Sequence, residues 1–534
     1  MAVVQEGGHE NWSSRLGFIL AAVGSAVGLG NIWKFPYEAG EGGGGAFVIV
    51  YLLFVFGIGV PVMIAEWTLG RRGHMSPPNA VRRVAEMEGR NPRWSIIGWM
   101  GTIGGFLVLS YYSVIAGMTV AYMVDSFIGT ATALPAPEAS QGFFAAFVGN
   151  FWSVLGWHAV FMALTVFVVA RGITGGIEKA AKWLMPALFA LLVFLVIYAL
   201  SVGDAAATFA FLFKPDFSKL TLDVVLGALG QAFFSLSLAL GSMMVYGAYV
   251  PREVSLPRSA MIVASADTAV ALLAGLAIFP IVFAYQLDPG QGMGLIFVTL
   301  PIAFSQMPAG VIVGGAFFLL LAIAALTSSI SLLEPLVSWL EEHRGISRAK
   351  GALIGGGGAF LLGILSVLSF NGLSDMTFWR GTFLDNLDFL TNNILMPLGG
   401  LLIALFVGWM MSEKSLREEL PGLSERLFHL YRRHLAYVAP VALLAIFFNV
   451  SGAQSYVLQI IQLAGYGVPA EPWQQMLHAT VVAIVVFLPT LIAIQRRHPQ
   501  AGLFVFTNVV AGWTPVGWLF CLYWAHKPRL LIDD

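Results

Sequence analysis

The chain has 534 residues, 58% of them hydrophobic and 11% charged, with a mean hydropathy of +0.81 and a net charge of −1. This composition excludes a soluble globular protein and specifies a polytopic membrane protein, and the near-neutral charge lacks the basic footprint of a nucleic-acid binder. A single cysteine, Cys521, excludes an intramolecular disulfide, and the 9 histidines are scattered, with no metal-ligand spacing such as HExxH.

The N-terminal stretch MAVVQEGGHENW is polar and acidic, so no signal-peptide n-region precedes the first apolar run, residues 15–37. That run contains Gly24-Ser25-Ala26-Val27-Gly28-Leu29-Gly30-Asn31. Each Gly costs about 1 kcal/mol relative to Ala in a helix, so glycines this close together need a reason. They either form a small-residue packing face, which suits Gly24 and Gly28, or mark a helix that breaks within the membrane. A break frees carbonyls on one half-helix and N–H groups on the other, so it must line a protein-enclosed cavity able to attract cations and anions.

Further apolar runs of membrane-crossing length lie at 46–70, 96–124, 153–171, 180–202, 222–249, 259–285, 310–340, 352–370, 384–411, 433–452 and 474–495, which predicts twelve spans. Alternate loops are basic, with Arg71, Arg72, Arg82, Arg83, Arg90 and Arg93, then Arg171, Lys179 and Lys182, and further Arg and Lys after spans 6, 8 and 10. The opposite loops carry only Lys214, Lys219 and Arg380, which predicts a cytoplasmic N-terminus and insertion in the plasma (inner) membrane, with lipid as partner. Residues 126–152 read as an exposed loop, and 287–309 hold an apolar patch too short to span, suited to capping a vestibule.

Ionisable residues inside the spans are few: Lys34, Glu66, Asp267, Glu334, Asp385 and Asp388. Lys34, Glu66 and Glu334 are close enough to span ends to snorkel, whereas Asp267 lies deep in Ala-Ser-Ala-Asp-Thr-Ala and marks function by default. Span 6 carries a second interruption, Gln231 to Ser242, and span 8 a hydroxyl cluster, Thr327-Ser328-Ser329. Spans 1 and 6 each open a set of five, and paired interruptions at corresponding places point to an inverted-repeat transporter. No nucleophile–base pair or metal cluster suggests an enzyme.

The segments Trp12-Ser13-Ser14-Arg15-Leu16-Gly17, GSAVGLGNIWKFP at 24–36, GGGGAF at 42–47, Tyr111-Tyr112, GQAFFSLSLALG at 230–241, LTSSISLLEP at 326–335 and LDNLDF at 384–389 resemble the neurotransmitter:sodium symporters, most of all their bacterial amino-acid-transporting branch. The resemblance covers about residues 10–497. It implies an all-α fold of twelve transmembrane helices: five-helix repeats at 1–202 and, inverted, at 203–412, accessory helices 11 and 12 at 413–497, and an apolar hairpin or extra helix at 498–534. Helices 1 and 6 would be discontinuous.

The resemblance also implies two Na⁺ sites. The first falls on the Ala26 carbonyl, Asn31, Ser235, Asp267 and the substrate carboxylate. The second falls on the carbonyls of Gly24, Val27 and Ala324 with the hydroxyls of Thr327 and Ser328. The amino-acid substrate would meet Ala26, Leu29, Gly30, Tyr112, Phe234, Ser235 and Ser237. Its side chain would be enclosed by Val108, Phe234, Leu240, Ser329 and Leu332, an uncharged pocket suited to a neutral, hydrophobic amino acid. Lys34 and Asp388, with Phe234 and Tyr112, would form the outer gate.

Several residues depart from the family's pattern. Asp267 stands where many relatives pair Asn with chloride, which implies transport without a chloride requirement. Lys34 replaces an Arg and loses its bidentate fork. His9 replaces the Arg of the inner latch, and Ala239 replaces a Gly, which would trim the pocket and favour aliphatic over indole-sized side chains. Gly176 and Pro186 would mark a span-5 end that unwinds toward the second Na⁺ site. The competing readings are a carrier of a large aromatic amino acid and, in another class, a non-transporting sensor or a channel of the same fold.

Overall fold

A computed structural model describes residues 11–131, 136–287, 294–450, 488–490, 492–493, 507–508 and 515–526. The protein is an all-helical membrane protein, and among the described residues the only β-type pairing is an isolated bridge between Phe378 and Gly381.

Eight described helices are long and apolar enough to cross a membrane: α3 (Gly45–Gly73), α5 (Pro92–Phe127), α6 (Phe151–Val169), α7 (Ile173–Val202), α10 (Leu256–Ala284), α12 (Gly310–Arg344), α13 (Arg348–Leu368) and α14 (Phe383–Met410). They correspond to expected spans 2, 3, 4, 5, 7, 8, 9 and 10, and the shorter α4 (Pro77–Met87) joins α3 to α5. Span 1 is α1 (Arg15–Ala26) followed by α2 (Gly30–Glu41), bent by 50° at the break between them. Span 6 is likewise split, into α8 (Leu222–Ser235) and α9 (Ser242–Ala248). The helix Ala439–Val450 occupies the place of span 11, while span 12 falls almost wholly outside the described residues. In the tail only Thr507, Asn508 and the helix Pro515–His526, with Cys521 buried in it, are described, so the choice between hairpin and single helix lies outside them.

Local chemistry places the ends. Ser14 caps α1 by accepting from the Gly17 N–H at 3.0 Å, and α1 stops where Val27 turns extended at φ −72°, ψ 109°. The stretch expected as an exposed loop at 126–152 instead contains a helix, Pro137–Gly149, opened by a proline at its first turn. Its Phe143 and Phe147 pack edge-on against buried Tyr122, so aromatic contacts outweigh a loop-like composition. The short apolar patch forms α11 (Leu295–Gln306), whose Phe297 packs on the same Tyr122 and on Phe318 of α12, covering one end of the bundle.

α12 lies against α5 along much of its length, and α1, α3, α9 and α10 pack together beside that pair. The two broken spans therefore meet α5 and α12 in the middle of the bundle.

Candidate functional site

The glycines of span 1 divide between the two roles open to them. A Cβ on Gly24 would lie 3.2 Å from the Thr327 Cβ, a tight packing contact. A Cβ on Gly28 would lie 2.5 Å from the Ser328 hydroxyl, and one on Gly30 2.8 Å from the Phe234 ring, so the break itself needs bare backbone. The loosened groups find internal partners: the Gly28 N–H donates to Asn31 Oδ1 at 3.0 Å, and Gln231 donates to the Gly30 carbonyl at 2.8 Å. One partner comes from α2 itself and the other from α8 of span 6, so the break is closed from within the protein, as a membrane interior requires.

The second break, residues 236–241, runs through positive φ at Ser237 (51°), Ala239 (61°) and Gly241 (77°). Its backbone is held by Glu66, whose Oε1 accepts from the Ala239 N–H at 2.6 Å, and by Ser237, which donates to the Ser25 carbonyl at 2.7 Å. Glu66 is fully buried, not snorkelling, because the interrupted helix offers it a donor. Glu334 is buried too, paired with Arg348 and accepting from the Tyr249 hydroxyl at 2.8 Å. Ala239 does not trim the cavity: its Cβ faces Gly399 of α14, on the far side of the unwound stretch.

Asp267 on α10 is completely buried where the two breaks meet. Its Oδ1 accepts from Asn31 Nδ2 at 2.7 Å, and its Oδ2 accepts from the Ser235 hydroxyl at 2.5 Å and the Tyr51 hydroxyl at 3.3 Å. Among the described residues no Lys, Arg or His lies within ion-pair distance of it. A buried carboxylate among neutral oxygens and amides is a place for a cation, since an uncompensated charge in the membrane interior is costly. Tyr51 is a member of this cluster that nothing in the sequence singled out, because one tyrosine in an apolar helix carries no pattern.

The residues expected for a second cation lie near one another. The Ser328 hydroxyl lies 3.3 Å from the Val27 carbonyl, the Thr327 hydroxyl lies 3.0 Å from the Ala324 carbonyl, and Gly24 packs on Thr327. These are hard, neutral oxygen donors with no nitrogen or sulfur, a set that suits a small hard cation better than a transition metal. Among the described residues there is no cluster of His, Cys, Asp and Glu fit for a transition metal.

Beside these sets lies a cavity lined by Ala26, Gly28, Leu29, Gly30, Val108 and Tyr112, and across from them by Phe234, Ser237, Leu240, Ser328 and Leu332. It has about 330 Å³ of space, its mouth included, and no charged wall. At its polar end the Leu29 N–H points at the Tyr112 hydroxyl, 3.4 Å away, where α2 begins and a helix N-terminus favours negative charge. Of the expected substrate residues, Ser235 belongs to the Asp267 cluster instead of the wall. Ser329 turns away, its hydroxyl bonded to Thr165 at 2.8 Å, and the neighbouring Ser328 lines the cavity in its place.

At the α2 end, the Lys34 ammonium sits 4.7 Å over the Phe234 ring and is not in ion-pair contact with Asp388, which accepts from Asn392 at 2.7 Å. At the opposite end Trp12 is buried, its ring nitrogen donating to the Tyr246 carbonyl at 3.1 Å and its ring edge-on to Tyr246. Beside it the Ser13 N–H and hydroxyl both donate to Glu178 of α7, at 2.8 and 2.5 Å, and Lys182 pairs with the same carboxylate at 2.7 Å. This fastening holds the start of α7 wound through Gly176 to Pro186, so the expected unwinding is not present here. His9 lies outside the described residues.

The profile of the Sodium:neurotransmitter symporter family matches residues 9–140 and 148–498, and that of the Superinfection immunity protein family matches residues 485–526. The chain is 39% identical over 454 residues to the sodium-dependent transporter YhdH of Bacillus subtilis, covering 83% of this chain and 98% of that one. It is 33% identical over 448 residues to a sodium-dependent transporter of Haemophilus influenzae, with the same coverage of 83% and 98%. Among solved structures, MhsT in complex with L-phenylalanine superposes with a TM-score of 0.77 at 44% identity, over 83% of this chain and 100% of that one.

Proposed function

The chain belongs to the sodium:neurotransmitter symporter family, as a sodium-dependent transporter and not an enzyme, and from that premise we propose that it imports a neutral, hydrophobic L-amino acid together with Na⁺, without chloride. The observation that carries this reading is the fully buried Asp267, which has only neutral partners and lies where both broken spans converge on an uncharged cavity. The solved neighbour holds L-phenylalanine, which supports an apolar amino acid, aromatic ones included.

One Na⁺ sits among the Ala26 carbonyl, Asn31, Ser235 and Asp267, completed by the substrate carboxylate; a second sits among Gly24, Val27, Ala324, Thr327 and Ser328. For the first, the Asn31 amide turns over to present its oxygen, a change its near-symmetric shape allows. The substrate carboxylate takes the Leu29 and Gly30 N–H groups and the Tyr112 hydroxyl. A ligand shared by ion and substrate makes their affinities rise together. Because Asp267 supplies the negative charge, no anion is needed to balance the loaded site.

The N-terminus faces the cytoplasm, so Trp12 and the Ser13–Glu178 fastening close the inner side, and Lys34, Phe234 and Asp388 guard the outer one. Alternating access then exchanges the Trp12 closure for a Lys34–Asp388 closure.

Uptake of labelled leucine and phenylalanine into proteoliposomes tests the reading, with an inward Na⁺ gradient and with chloride replaced by gluconate. Sodium-driven accumulation that survives chloride removal is the expected result. Accumulation lost with chloride overturns the role of Asp267, and binding without accumulation overturns transport.

A further inference from the structure

α13 has 21 residues, just enough to cross about 30 Å of hydrocarbon, so the chain that follows it emerges at the membrane surface. It emerges at the end opposite Trp12, because the other end of α13 carries Arg348, bound to Glu334 beside Tyr249 and Trp12. The connection from there to α14 is tightly specified. Phe378 and Gly381 exchange backbone hydrogen bonds at 2.9 and 3.1 Å, and Trp379 between them sits at φ 50°, where bulky side chains are rare. Buried Asn386 of α14 holds this turn. Its amide nitrogen lies 2.8, 3.0 and 2.7 Å from the carbonyls of Phe378, Gly381 and Thr382, and its oxygen accepts from the Arg380 N–H at 3.1 Å. A loop that only connects two helices has no need of so strained a conformation.

What the turn holds out is apolar: Met376, Phe378 and Trp379 are 62%, 49% and 61% exposed. Single exposed apolar residues are common, but three together on a fixed turn mark a contact surface. The surroundings say what the contact is. Asn371 donates to the Val148 carbonyl at 3.0 Å, which places the start of α6 alongside, and there Trp152 is 76% exposed. Farther along, α6 exposes Leu164 and Phe167, and α13 exposes Leu353 and Leu361, the faces that spanning helices turn to lipid. The patch therefore continues the lipid-facing surface just past the helix ends, with Asp375, Thr377 and Arg380 interleaved, a composition suited to the headgroup region. On its protein side the turn reaches α14. The Trp379 ring stands edge-on to Phe389 with centroids 4.8 Å apart, and the Arg380 guanidinium lies 4.5 Å over the same ring. Phe389 directly follows Asp388.

We propose that the turn 376–380 is a membrane-surface anchor. Met376, Phe378 and Trp379 insert into the headgroup region of the leaflet opposite Trp12, and through Phe389 they hold the first turns of α14, with Asp388, at a fixed height. The partner is the lipid surface itself. The link to Asp388 rests on the gate role proposed above, whereas the insertion does not.

The test uses a Cys521→Ser chain in phosphatidylcholine–phosphatidylglycerol vesicles, with a nitroxide on Met376→Cys and, as an aqueous reference, on Lys219→Cys. Power-saturation EPR compares relaxation by oxygen, which concentrates in lipid, with relaxation by a water-soluble nickel complex. The oxygen-to-nickel ratio at 376 is expected to exceed that at 219 at least about threefold. An equal ratio puts the turn in water, and protection from both reagents puts it against protein, a second copy included; either result overturns the proposal. Adding Trp379→Ala is expected to lower the ratio at 376 toward the reference and to quicken amide exchange of residues 383–389 at least about threefold, with α12 unchanged. Trp379→Tyr, which keeps an interfacial ring, restores both. Exchange that quickens while the ratio at 376 stays put reduces Trp379 to a packing partner of Phe389 and overturns the anchor. None of these readouts needs transport, so failure here leaves the amino-acid reading standing, and failure of uptake leaves the insertion standing.

Discussion

Asp267 is the residue on which the chemistry turns. Asp267→Ala removes the one charge of its cluster, and sodium-dependent binding of substrate is expected to vanish; scintillation proximity binding with and without Na⁺ measures it. Tyr112→Phe keeps the ring but loses a hydrogen bond to a carboxylate, which is expected to weaken substrate binding by about 1.5–3 kcal/mol, roughly one to two tenfold steps in Kd. Both residues were legible in the sequence, Asp267 because a carboxylate deep in an apolar run needs an explanation, and Tyr112 through the Tyr111-Tyr112 resemblance. Glu66 and Ser329 were misread for a common reason. Sequence gives a side chain's depth along the helix, but not whether a neighbour's broken backbone or a neighbour's hydroxyl waits for it. Tyr51 left no trace at all, since its importance comes wholly from which helix α3 packs against.

The broken helices were legible as elements because glycines and polar residues interrupt otherwise unbroken apolar runs, and a membrane offers such interruptions no water. Their supports were not, since they come from residues far away in the chain: Glu66 for Ala239, Gln231 for Gly30. Glu66→Ala leaves the Ala239 N–H without its acceptor in the middle of the bundle, and a loss of about 1–3 kcal/mol in stability is expected, read as a lowered Tm in detergent. The wound start of α7 depends on the fastening of Ser13 to Glu178. Glu178→Gln keeps one acceptor but gives up the charge that Lys182 pairs with, so amide hydrogen exchange at residues 173–186 is expected to quicken while that of α12 does not. The 126–152 stretch shows the limit of composition: its polar and small residues suggested a loop, and two phenylalanines against Tyr122 made a helix of it.

For the whole molecule, one charge asymmetry between loops carries the proposed orientation, and the single native cysteine makes it easy to check. In a Cys521→Ser chain, a cysteine placed at Lys350 is expected to react with a membrane-impermeant maleimide only after right-side-out vesicles are opened, and one placed at Lys219 before. The arrangement around residues 236–241 also bears on how the protein is made. The stretch is held by Glu66 and the Ser25 carbonyl from helices synthesised earlier, while its Ala239 packs against Gly399 of a helix synthesised more than a hundred residues later. While the ribosome is still adding spans 7 to 9, span 6 is in the bilayer with part of its bracing absent. It must wait in the shelter of the earlier spans or of the insertion machinery until α14 arrives, which makes the order of helix release from the translocon part of this protein's biogenesis.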